Sequence, residues 1–232
     1  MQSRAIPPDY DSDPERFRAG VSSLEKYGLV GDVHEAVAEC LAAEKLEPVL
    51  DLGCGEGRLV RPARARGLNI IALDNSAVML ASILGNRVQG DARKLPFNDY
   101  SFGAVAALYM LYHLTDPKQA IAECQRVLRP GGMFLTCAPS RNNDPELAEV
   151  LPQLPTTFDA ENGPDLVGEF FQSVEAKRWD APVVHLPDRD ALALYLRGRG
   201  LTVEKIESAI NRSAVPLTLT KRGALIIGRK IR

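Results

Sequence analysis

The sequence predicts a doubly wound α/β fold built on a mostly parallel sheet, and three observations carry this prediction. Short apolar segments alternate with amphipathic helical segments through the middle of the chain, which is the pattern of parallel sheets. The first apolar segment runs into a glycine-rich stretch, residues 51–57, directly before a helical segment. Acids end the first three strands, at Asp51, Asp74 and Asp91, where ligands bind in folds of this class.

The individual elements follow from capping signals and hydrophobic periodicity. Asp13 and Pro14 begin a first helix, because an acid at the N-cap followed by proline is typical of a helix start. Asp116 and Pro117 begin a later helix in the same way. We expect helices at about 33–46, 57–66, 76–84 and 117–128, and strands at 49–53, 69–74, 87–90, 102–109 and 132–138.

The last third of the chain has weaker signals. Residues 202–211 fit a strand or a helix, and the spacing of Val203, Ile206 and Ile210 favours a helix. Pro216 to Arg229 alternates and is apolar, which predicts a final strand with a turn or bulge at residues 221–223. We also expect a helix at 161–171, a strand at 173–179 and a helix at 188–197.

Length, charge and cysteine usage narrow the class of protein. A chain of 232 residues holds one α/β domain with a small cap, and a net charge of −2 gives no basic footprint for nucleic acid or acidic membranes. The four cysteines lack metal-type spacing, and scattered buried cysteines are typical of a reducing cytoplasm. The first 20 residues are polar, so we predict a soluble cytoplasmic protein with no signal peptide and no membrane span. The three histidines are isolated and no adjacent acid pair is poised for magnesium, so we predict no metal.

The glycine-rich stretch identifies the kind of ligand. Residues 49–57 read Val-Leu-Asp-Leu-Gly-Cys-Gly-Glu-Gly, and alternate glycines let the backbone turn sharply and approach a ligand closely. A dinucleotide fingerprint starting at Gly53 needs glycine where Arg58 stands, and a phosphate loop needs a lysine that is missing. The pattern Asp-x-Gly-x-Gly-x-Gly resembles motif I of the class I S-adenosylmethionine-dependent methyltransferases.

Three later segments strengthen this resemblance. Residues 89–97, with the step Gly-Asp-Ala, resemble the landmark that follows the third strand of the family, although an ordinary surface turn is the alternative. Residues 101–114 resemble motif IV, with Gly103 where the family commonly has aspartate. Residues 126–132 match the turn into the fifth strand. The resemblance covers about residues 45–140 and continues more faintly to Arg229 in a bacterial branch of small-molecule enzymes, often labelled type 11.

The resemblance implies a Rossmann-like class I methyltransferase domain over residues 1–232. Its sheet has seven strands and an antiparallel last strand, with a small cap between the sixth and seventh strands. The implied parts are an N-terminal helical cover at 1–46, a cofactor-binding core at 47–140, a substrate-side cap at 141–216 and the final strand at 217–232. The implied cofactor is S-adenosylmethionine, and the implied cofactor-binding residues are Asp51, Gly53, Cys54, Gly55, Asp74, Asn75, Met79, Asp91, Ala92, Leu108 and, by analogy, Tyr10.

Within this set, Asp74 and Asp91 have the most specific expected roles. Asp74 ends the second strand, where an acid can accept both ribose hydroxyl protons of a nucleoside. The less favoured alternative is that Asp74 caps the helix that follows. The resemblance implies that Asp91 and the amide of Ala92 bind the adenine edge.

The acceptor side is less constrained by the sequence. His113 is the best-placed general base, since its ordinary pKa lies near neutral pH, and the alternative is a histidine that caps the loop before the next helix. Tyr109 is a second catalytic candidate, and with Tyr112 it either shapes the acceptor pocket or packs in the core. Arg141 can clamp a substrate carboxylate or phosphate, or belong to a polar loop.

Three functions compete. The first is methyl transfer by in-line displacement to an oxygen or nitrogen of a small-molecule acceptor, and the second is methylation of ribosomal or transfer RNA on the same core. The stripe of Arg58, Arg61 and Arg64 fits an RNA patch or a solvated helix face, and the acidic charge balance favours the latter. The third is a non-catalytic cofactor-binding protein. The sequence leaves the acceptor and the oligomeric state open.

Overall fold

The computed structural model describes residues 10–151 and 156–231. The helices are α1 Pro14–Tyr27, α2 Val33–Glu44, α3 Val60–Ala65, α4 Ala77–Leu80, α5 Pro117–Val127, α6 Gly163–Gly168, α7 Arg189–Gly198 and α8 Val203–Arg212, with 3-10 turns at Leu111–His113 and Pro145–Leu147. The strands are β1 Val49–Leu52, β2 Ile70–Asp74, β3 Arg87–Gln89, β4 Phe102–Leu108, β5 Leu128–Pro139, β6 Ser173–Leu186 and β7 Leu217–Arg229.

The seven strands form one sheet in the order β3-β2-β1-β4-β5-β7-β6. Strands β1 to β5 pair in parallel, and β7 is antiparallel to both β5 and β6. The strand order reverses direction between β1 and β4, which is where open α/β sheets bind ligands. The predicted doubly wound sheet with an antiparallel last strand is confirmed.

Helices cover both faces of the sheet because the central strands are apolar on both sides. β1 and β4 are buried along their whole length. Leu50 of β1 packs in the same core as Ile121 of α5, whereas Val49 packs in the opposite core with Leu41 of α2. Successive residues of a strand point to opposite faces, so one strand serves two cores.

The backbone of Glu47 explains why glycine stands at position 103, where the sequence resemblance leads us to expect aspartate. A Cβ atom at this position would lie 2.7 Å from the backbone nitrogen of Glu47 and 2.9 Å from its carbonyl oxygen. Backbone atoms cannot move aside as the end of a flexible side chain can. The start of β4 therefore has no room for the aspartate that the family commonly has there.

The cap is built on the antiparallel ribbon of β6 and β7, which extends beyond the end of β5. β5 ends at Pro139, opposite Gly223, while β6 and β7 remain paired beyond it as far as Leu186 and Leu217. α7 and α8 connect the two strands and pack on this ribbon. Since β7 is antiparallel, the ribbon and its helices lie beyond the carboxyl ends of the parallel strands.

The N-terminal helix joins the cap at a close crossing. A Cβ atom on Gly198 of α7 would lie 2.5 Å from the Cα of Gly20 of α1, so these two glycines permit the contact. Directly after α1, Gly28 forms an isolated bridge to Val184 of β6. α1 and the cap therefore enclose the space above the sheet together.

Within residues 10–151 and 156–231, every helix is too short or too polar to cross a bilayer.

Most helices and strands predicted from the sequence are present in the structure, and several of them differ in extent or continuity. The turn or bulge predicted at residues 221–223 is wrong, because β7 is continuous there and its residues Gly223 to Thr220 pair in register with Trp179 to Pro182. The charges that suggested a turn are accommodated by ion pairs, Lys221 with Asp144 and Arg222 with Asp180. The predicted strand 173–179 continues to Leu186, and the helix predicted at 76–84 is limited to Ala77–Leu80.

Candidate cofactor and acceptor site

The loop after β1 depends on glycine for its shape. Gly53, Gly55 and Gly57 have φ angles of 67°, 52° and 83°, in the left-handed region that favours glycine. A Cβ atom on Gly53 would lie 2.7 Å from the Cβ of Met110, which follows β4. The loop therefore presents bare backbone at the switch point of the sheet.

Asp74 at the end of β2 fixes this loop. Its Oδ2 atom accepts a hydrogen bond from the amide of Gly55 at 2.9 Å, and its Oδ1 atom accepts one from the amide of Ser76 at 2.9 Å. Burial raises the pKa of the carboxyl. The alternative role as the cap of α4 falls to Ser76, whose hydroxyl accepts from the amide of Met79 at 3.1 Å. Each oxygen of Asp74 retains a lone pair for a further donor.

Asp51 lies behind the loop and outside the wall of the cavity described below. Burial, with the nearby charge of Asp74, raises the pKa of the Asp51 carboxyl to about 8. Its Oδ2 atom is buried and makes no hydrogen bond within the described residues. Asp51 is the one predicted cofactor-binding residue outside the cavity wall, and its contact with a cofactor stays a prediction.

One large cavity lies above the carboxyl ends of the parallel strands. Its volume is about 1350 Å³, and residues of α1, α2, the cap and the loops after β1 to β4 line it. Ten of the eleven predicted cofactor-binding residues line this cavity: Tyr10, Gly53, Cys54, Gly55, Asp74, Asn75, Met79, Asp91, Ala92 and Leu108. The sequence prediction therefore converges on one place, although the binding role of each residue stays a prediction.

The end of β3 carries an ion pair that the sequence prediction missed. Arg93 binds both carboxylate oxygens of Asp91, at 2.7 Å from Nη2 and at 3.0 and 3.1 Å from Nε. This pairing lowers the pKa of the Asp91 carboxyl and holds it as an anion. Ala92 beside it is buried. Asp91 can accept a donor on the ligand only with the oxygen lone pairs that Arg93 leaves.

Tyr109 follows β4 in a strained backbone conformation. Its φ angle is 56°, which is uncommon for a residue with a side chain, and its amide donates to the carbonyl of Cys137 at 2.9 Å. Burial raises the pKa of the phenol well above its ordinary value. The hydroxyl is therefore neutral, and Tyr109 can orient an acceptor but is a poor base.

His113 lies in an aromatic corner of the cavity. Its ring centroid is 4.6 Å from that of Tyr112 and 5.5 Å from that of Tyr10. Burial and the charge of Arg16 lower the pKa of His113 to about 4. The imidazole is therefore neutral at pH 7, but a pKa this low makes it a weak base.

A second histidine, missed by the sequence prediction, is oriented by a carboxylate. Nδ1 of His34 donates to Oδ1 of Asp32 at 2.6 Å, and Nη2 of Arg58 donates to Oδ2 of the same carboxylate at 2.6 Å. Burial alone would raise the pKa of Asp32, but the bonds to His34 and the charge of Arg58 lower it well below its usual range. All three residues line the cavity. The ring of His34 lies 6.1 Å from that of Tyr109.

Arg141 is placed elsewhere. Its guanidinium binds the buried carboxylate of Asp159 at 2.9 Å and that of Glu161 at 3.5 Å, and it does not line the cavity. The suggested substrate clamp is therefore not supported, and the arginine instead stabilises the loop between β5 and α6.

Tyr112 does line the cavity. Among the lining residues that the cap supplies, Tyr195, Arg199 and Lys221 were not predicted as site residues from the sequence.

Comparisons with known proteins identify the family. A family profile described as a methyltransferase domain matches residues 50–136. The demethylmenaquinone methyltransferase of Paenarthrobacter aurescens is 30% identical over 201 residues, which cover 76% of this chain and 74% of that protein. This chain belongs to the class I S-adenosylmethionine-dependent methyltransferases. The demethylmenaquinone methyltransferase of Renibacterium salmoninarum is 33% identical over 142 residues, covering 54% of this chain and 59% of that one.

Solved structures show the same fold at lower identity. The YcgJ protein of a Bacillus species has a TM-score of 0.62 and 20% identity, and the match covers 85% of this chain and 99% of that one. The SpnF protein, titled a [4+2]-cyclase, has a TM-score of 0.60 and 19% identity, covering 99% of this chain and 100% of that one. The fold is thus shared by proteins of different reported chemistry, so the fold alone does not fix a reaction.

Proposed function

We propose that this enzyme transfers the methyl group of S-adenosylmethionine to an oxygen or nitrogen atom of a small-molecule acceptor. The observation that carries the proposal is the cavity of about 1350 Å³ that runs without interruption from the Gly53–Gly55 loop to the cap. Cavities of 300–1000 Å³ hold one drug-sized ligand. The space therefore suits two small ligands side by side.

The residues at the sheet edge fit the cofactor. Asp74 offers lone pairs to the ribose hydroxyls, and the loop at Gly53 and Gly55 allows the ligand to approach the backbone. Asp91 and Ala92 flank the expected adenine position, with Met79 also in the wall. When bound, S-adenosylmethionine supplies a methyl group already activated by its sulfonium, which is displaced in line by the acceptor atom.

The protein has to orient the acceptor and, for a hydroxyl or ammonium group, accept its proton. We assign the role of proton acceptor to His34 rather than His113. Asp32 fixes the Nδ1–H tautomer of His34 and leaves its Nε2 atom as an acceptor. His113, with its lowered pKa, then serves as a neutral wall of the pocket. Tyr109 and Tyr112 contribute apolar surface and a neutral hydroxyl.

A small acceptor is favoured over RNA by the enclosure and the charge. α1 and α7 meet above the cavity at Gly20 and Gly198, and the net charge of the chain is −2. Arg58 of the basic stripe is engaged by Asp32 rather than available to a phosphate backbone. Curated relatives named for demethylmenaquinone and for ubiquinone biosynthesis also support a small acceptor.

The test is a methyl-transfer assay with S-adenosylmethionine labelled in the methyl group. The acceptors are a panel of phenols, amines and carboxylic acids, with total transfer RNA and ribosomal RNA as a separate arm. We expect label in at least one small molecule. Label only in RNA, with binding that weakens steeply as salt rises, would establish the RNA alternative instead. Tight binding of S-adenosylhomocysteine without transfer to any acceptor would favour the non-catalytic reading.

A further inference from the structure

The cap end of the cavity gathers three cations, which we call the cap cation cluster: Arg16, Arg199 and Lys221. Arg16 comes from α1, Arg199 directly follows α7, and Lys221 lies on β7. All three residues line the cavity. Three elements that are far apart in the sequence thus bring positive charge to one wall.

The buried acid of this wall is already engaged. Asp144 is 1% exposed, and its Oδ1 atom accepts from Nζ of Lys221 at 2.8 Å. Its Oδ2 atom accepts from the hydroxyl of Tyr195 at 2.6 Å and from Nδ2 of Asn143 at 2.9 Å. Lys221 also donates to the hydroxyl of Tyr195 at 2.7 Å. Both carboxylate oxygens of Asp144 therefore already accept hydrogen bonds, from Lys221 on one side and from Tyr195 and Asn143 on the other.

Arg199 is the cation that this arrangement leaves available. Its closest carboxylate atom is Oδ2 of Asp144, at 3.7 Å from Nη2, which is too long for a hydrogen bond. Within residues 10–151 and 156–231 its side chain has no carboxylate at hydrogen-bonding distance, and 41% of it remains accessible. A guanidinium has five N–H donors and stays charged in proteins. Arg199 therefore presents a charged, planar donor set to the cavity.

The surroundings favour an anion over a neutral ligand. Burial lowers the pKa of Lys221 to about 8, so it is mostly protonated at pH 7. Besides Asp144, the acid that acts on Lys221 is Glu146, which is bound to the hydroxyl of Thr220 at 2.5 Å and to its amide at 3.0 Å. Glu146 is thus also engaged, and Arg199 has no carboxylate at hydrogen-bonding distance within residues 10–151 and 156–231. The charge of its guanidinium therefore favours an anion.

Aromatic rings frame the same wall. The guanidinium of Arg16 lies 4.4 Å from the ring centroid of Tyr10. Tyr10, Tyr112 and Tyr195 all lie near Arg199. An anion attached to a flat apolar body would therefore contact both the rings and the cations.

The cluster lies on the acceptor side of the cavity. Asp74 is on β2 and Lys221 is on β7, and these strands are four positions apart in the sheet. With neighbouring strands about 4.8 Å apart, this separation is about 19 Å. The adenosine end of the cofactor is expected at β2 and β3, so Lys221, and the acid Asp144 that it binds, are remote from it.

We propose that the cap cation cluster binds an anionic group, a carboxylate or a phosphate, on the methyl acceptor, with Arg199 as the main ligand. The proposal rests on the proposed function, because it assigns the cavity beyond the cofactor to the acceptor. The guanidinium fork matches two oxygens of either anion, and charge-assisted pairs of this kind are the stronger hydrogen bonds. Tyr195 and Lys221 complete the wall.

The experiment measures the affinity of three matched probes by ligand-observed NMR titration: benzoate, phenyl phosphate and the neutral benzamide. Each probe is titrated into free protein and into protein saturated with S-adenosylhomocysteine. We expect at least one anion to bind ten-fold or more tightly than benzamide, and its identity separates a carboxylate site from a phosphate site. Arg199→Gln should remove this preference, Arg199→Lys should retain part of it, and both should leave benzamide binding unchanged.

Arg189→Gln is the matched control, because Arg189 is an exposed arginine of α7 outside the cavity wall. It should keep the anion preference. Equal binding of benzamide and both anions by the native protein would overturn the proposal. A ten-fold loss of S-adenosylhomocysteine affinity in Arg199→Gln would also overturn it, by assigning Arg199 to the carboxylate of the cofactor. Failure of the native protein to bind S-adenosylhomocysteine would instead refute the proposed function, and the titrations into free protein would still decide the anion site.

Discussion

Asp74 holds the amide of Gly55 at 2.9 Å, so the carboxylate that ends β2 fixes the loop that follows β1. The same carboxylate accepts from the amide of Ser76, and both bonds hold it at the edge of the cavity. Asp74 is thus both a structural partner of the glycine loop and the expected ribose ligand. Both roles predict a loss of cofactor affinity when it is replaced.

Asp74→Ala should weaken binding of S-adenosylhomocysteine by ten-fold or more, which is about 1.4 kcal/mol. The variant loses an acceptor for the ribose and leaves the amides of Gly55 and Ser76 without their partner. Isothermal titration calorimetry measures the change. Asp190→Ala, an exposed acid of α7, is the control and should bind like the native protein. Unchanged affinity in Asp74→Ala would remove it from the cofactor site.

Gly53→Ala should damage the loop without unfolding the sheet. The added methyl group meets Met110 at 2.7 Å, and the φ angle of 67° costs a residue with a side chain about 1–2 kcal/mol. We expect a lower melting temperature and a ten-fold or greater loss of S-adenosylhomocysteine affinity. Gly168→Ala is the control, because a Cβ atom there meets nothing within 4 Å. Equal affinities in the two variants would show that the loop tolerates a side chain.

The sequence revealed the parts of the site whose signals are local. The glycines at 53 and 55 and the acid that ends β2 could be recognised because loop shape and strand ends are encoded by neighbouring residues. The pairs Arg58–Asp32 and Lys221–Asp144 could not, because their members are 26 and 77 residues apart and only tertiary packing brings them together.

Two features of the sequence depended on distant partners. The sequence left Arg141 open to a substrate or to a polar loop, and Asp159, eighteen residues later, occupies its guanidinium. The stretch Lys221-Arg222-Gly223 suggested a turn or bulge, but the strand continues, and Lys221 and Arg222 pair with acids from other segments. In both cases the identity of the partner decided the outcome, and a single sequence does not supply it.

Asp51 should make the protein less stable as pH rises. Its pKa is raised to about 8 in the folded protein, while that of an unfolded aspartate is about 3.9, so the folded state binds more protons between these values. Its stabilising contribution is complete below pH 4 and is lost as pH rises toward 8, by up to about 1.4 kcal/mol per pH unit.

The check compares the native protein with Asp51→Asn in urea unfolding from pH 5 to pH 8. The difference between the two isolates Asp51 from His113, whose lowered pKa acts in the opposite direction. We expect the native protein to lose stability relative to the variant across this range. A constant difference would show that Asp51 is ionised throughout and that its environment is more polar than the buried position indicates.

His34 should control the proton-transfer step once an acceptor is found. His34→Gln should lower kcat by about 100-fold or more if the acceptor is a hydroxyl or ammonium group, because a positioned base contributes at least that much. Its affinity for S-adenosylhomocysteine should stay within two-fold. Asp32→Asn should lower kcat less, since the imidazole of His34 remains but loses the carboxylate that orients it.

His113→Gln is the comparison for this series. We expect a smaller loss of kcat and an unchanged pH–rate profile, because the pKa of His113, about 4, places its titration outside the working range. Full activity in His34→Gln together with a 100-fold loss in His113→Gln would reverse the assignment and return the role of base to the histidine beside Tyr112. Equal, small effects of both variants would indicate an acceptor, such as a carboxylate, that needs no base.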